Sequence, residues 1–158
     1  MGDQDVQVCV TKPRKPTFVS VSDPAQVCQL LRGARYRDRE SFFTVSLNSQ
    51  NEVLGVEEVA RGTVNGVDIH PREVFKGPII NGAVAIVVAH NHPSGRTSPS
   101  NEDVDLTRRL KEAGRVVGIP VLDHLIVAGE DGCYSFAEKM PSALDGARRA
   151  RKPRRRRR

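Results

Sequence analysis

The chain has 158 residues, enough for one domain with a single core. Hydrophobic residues make up 38%, aromatics only 4%, and tryptophan is absent, which argues against an aromatic stacking platform for single-stranded nucleic acid. The net charge of +6 misleads as a whole-chain number, because Arg148, Arg149, Arg151, Lys152 and Arg154 through Arg158 outweigh it, so the rest of the chain is mildly acidic.

A run of like charges repels itself and buries no apolar surface. Residues 143–158 therefore read as a disordered tail. Such a tail binds polyanions, nucleic acid among them, by counterion release, or simply solubilises the chain. Cys9, Cys28 and Cys133 are odd in number and scattered, which suggests neither a disulfide framework nor a CxxC zinc site. The expectation is a reducing cytoplasm. No apolar run approaches the ~18–20 residues of a membrane helix, and the acidic start Met1–Asp5 lacks a signal-peptide pattern.

Residues 1–20, with Lys12-Pro13-Arg14-Lys15-Pro16, read as an extended arm, and residues 21–142 as the folded domain. The first helix starts at Asp23, a candidate N-cap. Pro24 suits the first helical position, Gln26 has capping-box spacing, and Gly33 can end the helix. Val27, Leu30 and Leu31 form its apolar stripe. A β-hairpin follows: strand Phe42–Leu47, turn Asn48–Asn51, and return strand Val53–Ala60. Pro71 can open a second helix, which Gly77-Pro78 should break or kink.

Ala83–His90 is a short, β-branched apolar run, the signature of a buried central strand. After a polar loop, Ser100 and Asp103 stand at capping-box spacing ahead of a long helix ended by Gly118. Val104, Leu110 and Val117 mark its apolar side. "IPVLDHLIVAG" reads as a strand, "EDG" as a turn and "CYSF" as a final strand. Strands and helices in this mixture predict an α/β sandwich, with a mixed β-sheet between helices.

The stretch "HNHPSGRTSPSNED", residues 90–103, carries the chemistry. His90 and His92 end a strand, where period 2 puts both imidazoles on one face. Asp103 lies in the first turn of the next helix, and a loop with Pro93, Gly95 and Pro99 can bring that turn back. Two nitrogens and one oxygen are a common ligand set for catalytic zinc, with the fourth position left for water. Zinc lowers the pKa of such a water to about 7. Taken singly, each residue has a plainer role: a strand-end histidine, a helix-terminus carboxylate, or an N-cap for Ser100.

The joint pattern H-x-H-P-x6-S-x2-D resembles the JAMM motif of MPN-domain metalloproteases. "ARGTVNGVDIHPREVF", "PSNEDVDLTRRLKEAG" and "IPVLDHLIV" sharpen this to a resemblance to the bacterial RadC-type (JAB-like) branch, over roughly residues 22–140. It implies a cytidine-deaminase-like α/β sandwich and a Zn2+ held by His90, His92 and Asp103. It also implies Ser100 as an oxyanion donor, a glutamate as general base, and peptide or isopeptide bonds in a protein substrate. Glu40, opening the first central strand, best matches that glutamate's place. Glu57 and Glu58 read as edge charge, and Glu73 as a carboxylate favoured by a helix dipole.

His124 reads as a core histidine or, with Asp123, as a group orienting a ligand, and His70 as a loop residue. RadC-type proteins often carry a helix-hairpin-helix region ahead of this domain, which residues 1–20 do not supply. The function that follows is a JAMM-type zinc metallohydrolase. The alternative is a zinc-containing, DNA-repair-associated module that binds nucleic acid or protein without strong catalysis. A nuclease more often uses two metals, and one ligand set is visible.

Overall fold

The computed structural model describes residues 19–62, 69–129 and 132–144. The arm up to residue 18 and the arginine-rich segment lie outside the described residues. In chain order the elements are α1 (Pro24–Leu30), a 3-10 turn (Arg32–Tyr36), β1 (Ser41–Leu47), β2 (Val53–Arg61), α2 (Pro71–Asn81), β3 (Ala85–Asn91), α3 (Asn101–Val117), β4 (Val121–Ala128), β5 (Gly132–Ser135), α4 (Phe136–Lys139) and α5 (Pro141–Leu144).

The strands form one mixed sheet in the order β2-β1-β3-β4-β5. β3 pairs antiparallel with β1 and parallel with β4, as the βαβ connection through α3 requires. Helices cover both faces. On one, Phe42, Ile86, Val88 and Ile126 pack with Val74 and Phe75 of α2, Leu110 of α3 and Phe136 of α4. On the other, Phe43, Val45, Leu47, Val87 and Leu125 pack with Val27, Cys28 and Leu31. β1 and β3 are buried along their whole length, which explains the continuous apolar run at 85–89. Each such buried Val, Ile or Phe contributes about 1.5–3 kcal/mol.

The sheet places the α/β sandwich as expected, with local departures. α1 is capped by Asp23 as read, but the chain continues past Leu31 into the 3-10 turn through Gly33. α2 is not broken at Gly77-Pro78. It runs on to Asn81 with Pro78 buried in the core. The proline has no N–H to give the ladder, yet the helix closes beyond it. The N–H of Gly82, at φ 65°, donates to Ile79 O, and that of Ala83 donates to Pro78 O. Gly77 admits the Glu57 carboxylate of β2 into the space where a Cβ would stand.

α3 buries Asp103, Thr107, Leu110 and Gly114, one stripe at helical spacing. The apolar side read through Val117 is corrected here, since Val117 is 44% exposed. On this face Asp103 meets His90 near the end of β3, Thr107 meets His124 in the middle of β4, and Gly114 lets Phe75 and Val121 come close. The last strand ends at Ser135, and Phe136 opens α4. α5 extends the fold to Leu144, past the expected boundary at 142, because Ala143 and Leu144 are buried in the core. At the other end, Ser20 bridges to Glu52, so the arm's last residues pair with the start of β2.

Cys28 and Cys133 are joined in a disulfide between α1 and β5, correcting the expectation of none. Their spacing of 105 residues hid the pairing. No helix among the described residues is long and apolar enough to cross a membrane.

Candidate metal centre

The site lies at the carboxyl ends of the parallel pair β3 and β4, the usual position for ligand sites in open α/β sheets. His90 is the penultimate residue of β3 and 1% exposed. His92 follows the strand, held by a turn in which Gly95 N–H donates to His92 O. Gly95 adopts φ +74°, open to glycine without strain. The His92 ring Nδ1 sits 2.9 Å from the Arg96 carbonyl, which can only accept, so Nδ1 carries the hydrogen and Nε2 faces inward.

Asp103 arrives through the cap of α3. Ser100 N–H donates to Asp103 Oδ2 at 2.7 Å, and Asp103 N–H donates to Ser100 Oγ at 3.1 Å, a reciprocal capping box. The Ser100 hydroxyl in turn donates to Asp103 Oδ2 at 2.8 Å. Aspartate in place of the usual glutamate keeps the carboxylate short, so the group that caps the helix also faces the histidines.

Among the described residues, His90, His92 and Asp103 form the group with metal-ligating atoms close enough to share an ion, all within 4.8 Å of one another. His90 Nε2 is 3.0 Å from Asp103 Oδ1, His92 Nε2 is 3.4 Å from Asp103 Oδ2, and the two Nε2 atoms are 2.9 Å apart. Ligands about 2.0–2.1 Å from a shared tetrahedral ion lie roughly 3.3 Å apart, so the donor set fits. Burial alone would raise the Asp103 carboxyl. Hydrogen bonds from His90 and His92, with the Ser100 N–H, outweigh it and hold the group far below the ordinary carboxylate range. The Asp103 hydrogen bond raises His92 above its ordinary value. The Arg96 carbonyl and the Glu40 charge add to this, against desolvation.

Glu40 reaches the same end of the sheet. Phe42 pairs with His90 at the end of the β1/β3 ladder, two residues after Glu40, and the Glu40 charge acts on His92. Three hydrogen bonds fix this stretch: Gly62 N–H to Glu40 O at 2.8 Å, Ser41 N–H to Asn91 Oδ1 at 2.7 Å, and Asn91 Nδ2 to Arg39 O at 3.1 Å. Asn91, between the two histidines, thus holds the backbone on both sides of Glu40. Its place inside the HNH triplet was its only sequence signal.

The competing glutamates sit elsewhere. Glu58 is bonded to Arg37 and Arg61, which lower its carboxyl to about 2. Glu57 packs over Gly77, and Glu73 pairs with Arg72 at the start of α2. His70 is the N-cap of α2, with Nδ1 accepting from Arg72 N–H.

His124 is buried between the rings of Phe42 and Phe136, with Nε2 2.8 Å from His90 Nδ1 and Nδ1 2.6 Å from Thr107 Oγ1. It meets His90, one of the three candidate metal ligands. Asp123 does not, since its carboxylate accepts from Ser135 Oγ and from the N–H groups of Ala137 and His124, and burial raises its pKa. Thr107 carried no signal that sequence reasoning noticed.

A mixed five-stranded sheet between helices defines a JAB/MPN-like α/β fold, and the His-His-Asp cluster beside the end of β3 is a group that could hold a metal ion, as in JAMM domains. A family model for the RadC-like JAB domain matches residues 21–141, and the chain belongs to that family. It is 56% identical over 116 residues to a UPF0758 protein of Moorella thermoacetica, covering 73% of this chain and 50% of that protein. It is 48% identical over 126 residues to a UPF0758 protein of Rubrobacter xylanophilus, covering 79% and 55%. The chain thus spans about half the length of the curated relatives it matches.

Proposed function

We propose that this domain is a zinc-dependent hydrolase of the JAMM type that cleaves peptide or isopeptide bonds. The observation that carries the reading is the convergence of His90 Nε2, His92 Nε2 and the Asp103 carboxylate, and the Glu40 charge acting on His92 supports it. When bound, the ion supplies an activated water and polarises the scissile carbonyl. His90, His92 and Asp103 hold it. Glu40 takes a proton from the attacking water and delivers it to the leaving amine. The Ser100 hydroxyl, once turned from Asp103, donates to the oxygen on which negative charge develops.

A second reading is a zinc-holding module that binds nucleic acid or protein. It is favoured by the Ser100 hydroxyl, which is engaged with Asp103 in the helix cap. In that reading the arginines of 148–158 attract polyanions.

Metal content of wild type and His92→Ala, followed by peptide and isopeptide cleavage by wild type and Glu40→Gln, separates the two. The hydrolase predicts stoichiometric zinc in wild type, its loss in His92→Ala, and a 10²–10⁴-fold drop, roughly, in Glu40→Gln. Wild type without metal removes both readings. Metal without cleavage favours the module. For the tail, DNA affinity should fall steeply with salt in the full chain and lose that slope without residues 148–158.

A further inference from the structure

Thr107 lies one turn beyond Asp103 in α3 and is completely buried. Its hydroxyl is 2.6 Å from the Asp103 backbone carbonyl, which bears no hydrogen, so the hydroxyl must donate there. That commits its single proton. The Nδ1 of His124, 2.6 Å from the same oxygen, therefore carries the hydrogen in that contact.

His124 is 0% exposed, lies between two phenyl rings, and its two ring nitrogens meet His90 and Thr107, neither of them a carboxylate. An imidazolium in that setting is unfavourable. With Nδ1 protonated, the neutral ring leaves a lone pair on Nε2. His90 Nδ1, 2.8 Å away, must then donate to it. The remaining nitrogen of His90, Nε2, faces Asp103 and His92, and a cation that displaces the hydrogen it shares with Asp103 meets its lone pair.

We infer that Thr107, acting through His124, sets the tautomer of His90 and so keeps His90 Nε2 free to ligate a metal cation. This rests on the metal-binding reading above and extends it to two positioning residues that touch no ion. Metal-ligating histidines generally need a partner on the second nitrogen, and losing it costs roughly 10–100-fold in affinity. Here that partner is itself a histidine, whose own tautomer is undefined until a hydroxyl fixes it.

The test has two arms. Long-range ¹H–¹⁵N spectra of the metal-free chain at a pH above the histidine range (~8) report each ring's tautomer. His124 is expected as the Nδ1–H tautomer and His90 with a hydrogen on Nδ1. An Nε2–H tautomer at His124 in wild type overturns the relay, and no variant is needed to see it. In the second arm, zinc affinity is measured by competition with a chromogenic chelator. Thr107→Val keeps the shape and removes the hydroxyl, and should weaken zinc roughly 10–100-fold, whereas Thr107→Ser should restore binding. Thr107→Val binding as tightly as wild type overturns the proposal. Wild type that takes up no zinc overturns the metal-site reading instead, while the tautomers still decide the relay.

Discussion

The side-chain carbonyl of Asn91 accepts from the backbone N–H of Ser41 at 2.7 Å, joining positions 50 residues apart. The same side chain donates to Arg39 O, so the strand pairing of β1 with β3 is continued by an amide side chain rather than by backbone. Asn91 is fully buried, and each group left without its partner costs about 1–3 kcal/mol. Asn91→Ala should therefore unfold at lower denaturant while keeping its zinc, and should lose cleavage activity as Glu40 drifts. Unchanged stability would mean that the Gly62–Glu40 backbone bond holds the segment unaided.

Gly114 sits inside α3, where alanine is ordinarily better by about 1 kcal/mol. Here a Cβ would stand 2.6 Å from the Ile119 carbonyl and 3.2 Å from the Phe75 ring. Backbone cannot give way as a side-chain end can, so the clash wins. Gly114→Ala should lower stability by about 1–3 kcal/mol, read from the thermal midpoint. A stabilised variant would refute this packing.

Arg61 and Arg37 hold Glu58 at about 2, below its ordinary 4.5. A depressed folded-state pKa means that the unfolded chain takes up the proton first. The stabilisation is complete above about 4.5 and is lost as the pH falls toward 2. The pair is partly exposed, so the effect is modest, up to about 1 kcal/mol. Denaturant midpoints across that window should converge for wild type and Glu58→Gln as the pH drops. Parallel curves would show that the ion pairs contribute nothing.

The Cys28–Cys133 bond ties α1 to β5 across a loop of 105 residues. A thiol assay on non-reduced, denatured protein should find one free cysteine, Cys9, and three after reduction. Reduction should cost roughly 2–4 kcal/mol of stability. Three thiols in protein purified from a reducing cytoplasm would show that the bond forms only on oxidation.

Much of the candidate site was legible because its signals are local. His90 and His92 share a face by strand period, and Asp103 reaches them through a capping box only three residues long. Asp23 and Gly118 were readable as helix ends for the same reason. α2 was misread at Pro78 because local propensity is weaker than the burial of Val74, Phe75 and Pro78 in one core.

Sequence by itself determined the alternation of strands and helices and the ligand triplet, since both depend on spacings within a few residues. Tertiary structure alone decided what stands around that triplet. The pairing of β1 against β3 brings Glu40, one residue before β1, to the end of the sheet where its charge acts on His92. In β4, a shift in register leaves Leu122 between the partners of Ile86 and Val87, 43% exposed, and moves His124 rather than Asp123 beside Val88 on the face of His90. One extra residue reverses which face every later side chain takes, a choice made by pairing with a neighbouring strand and written in no local pattern.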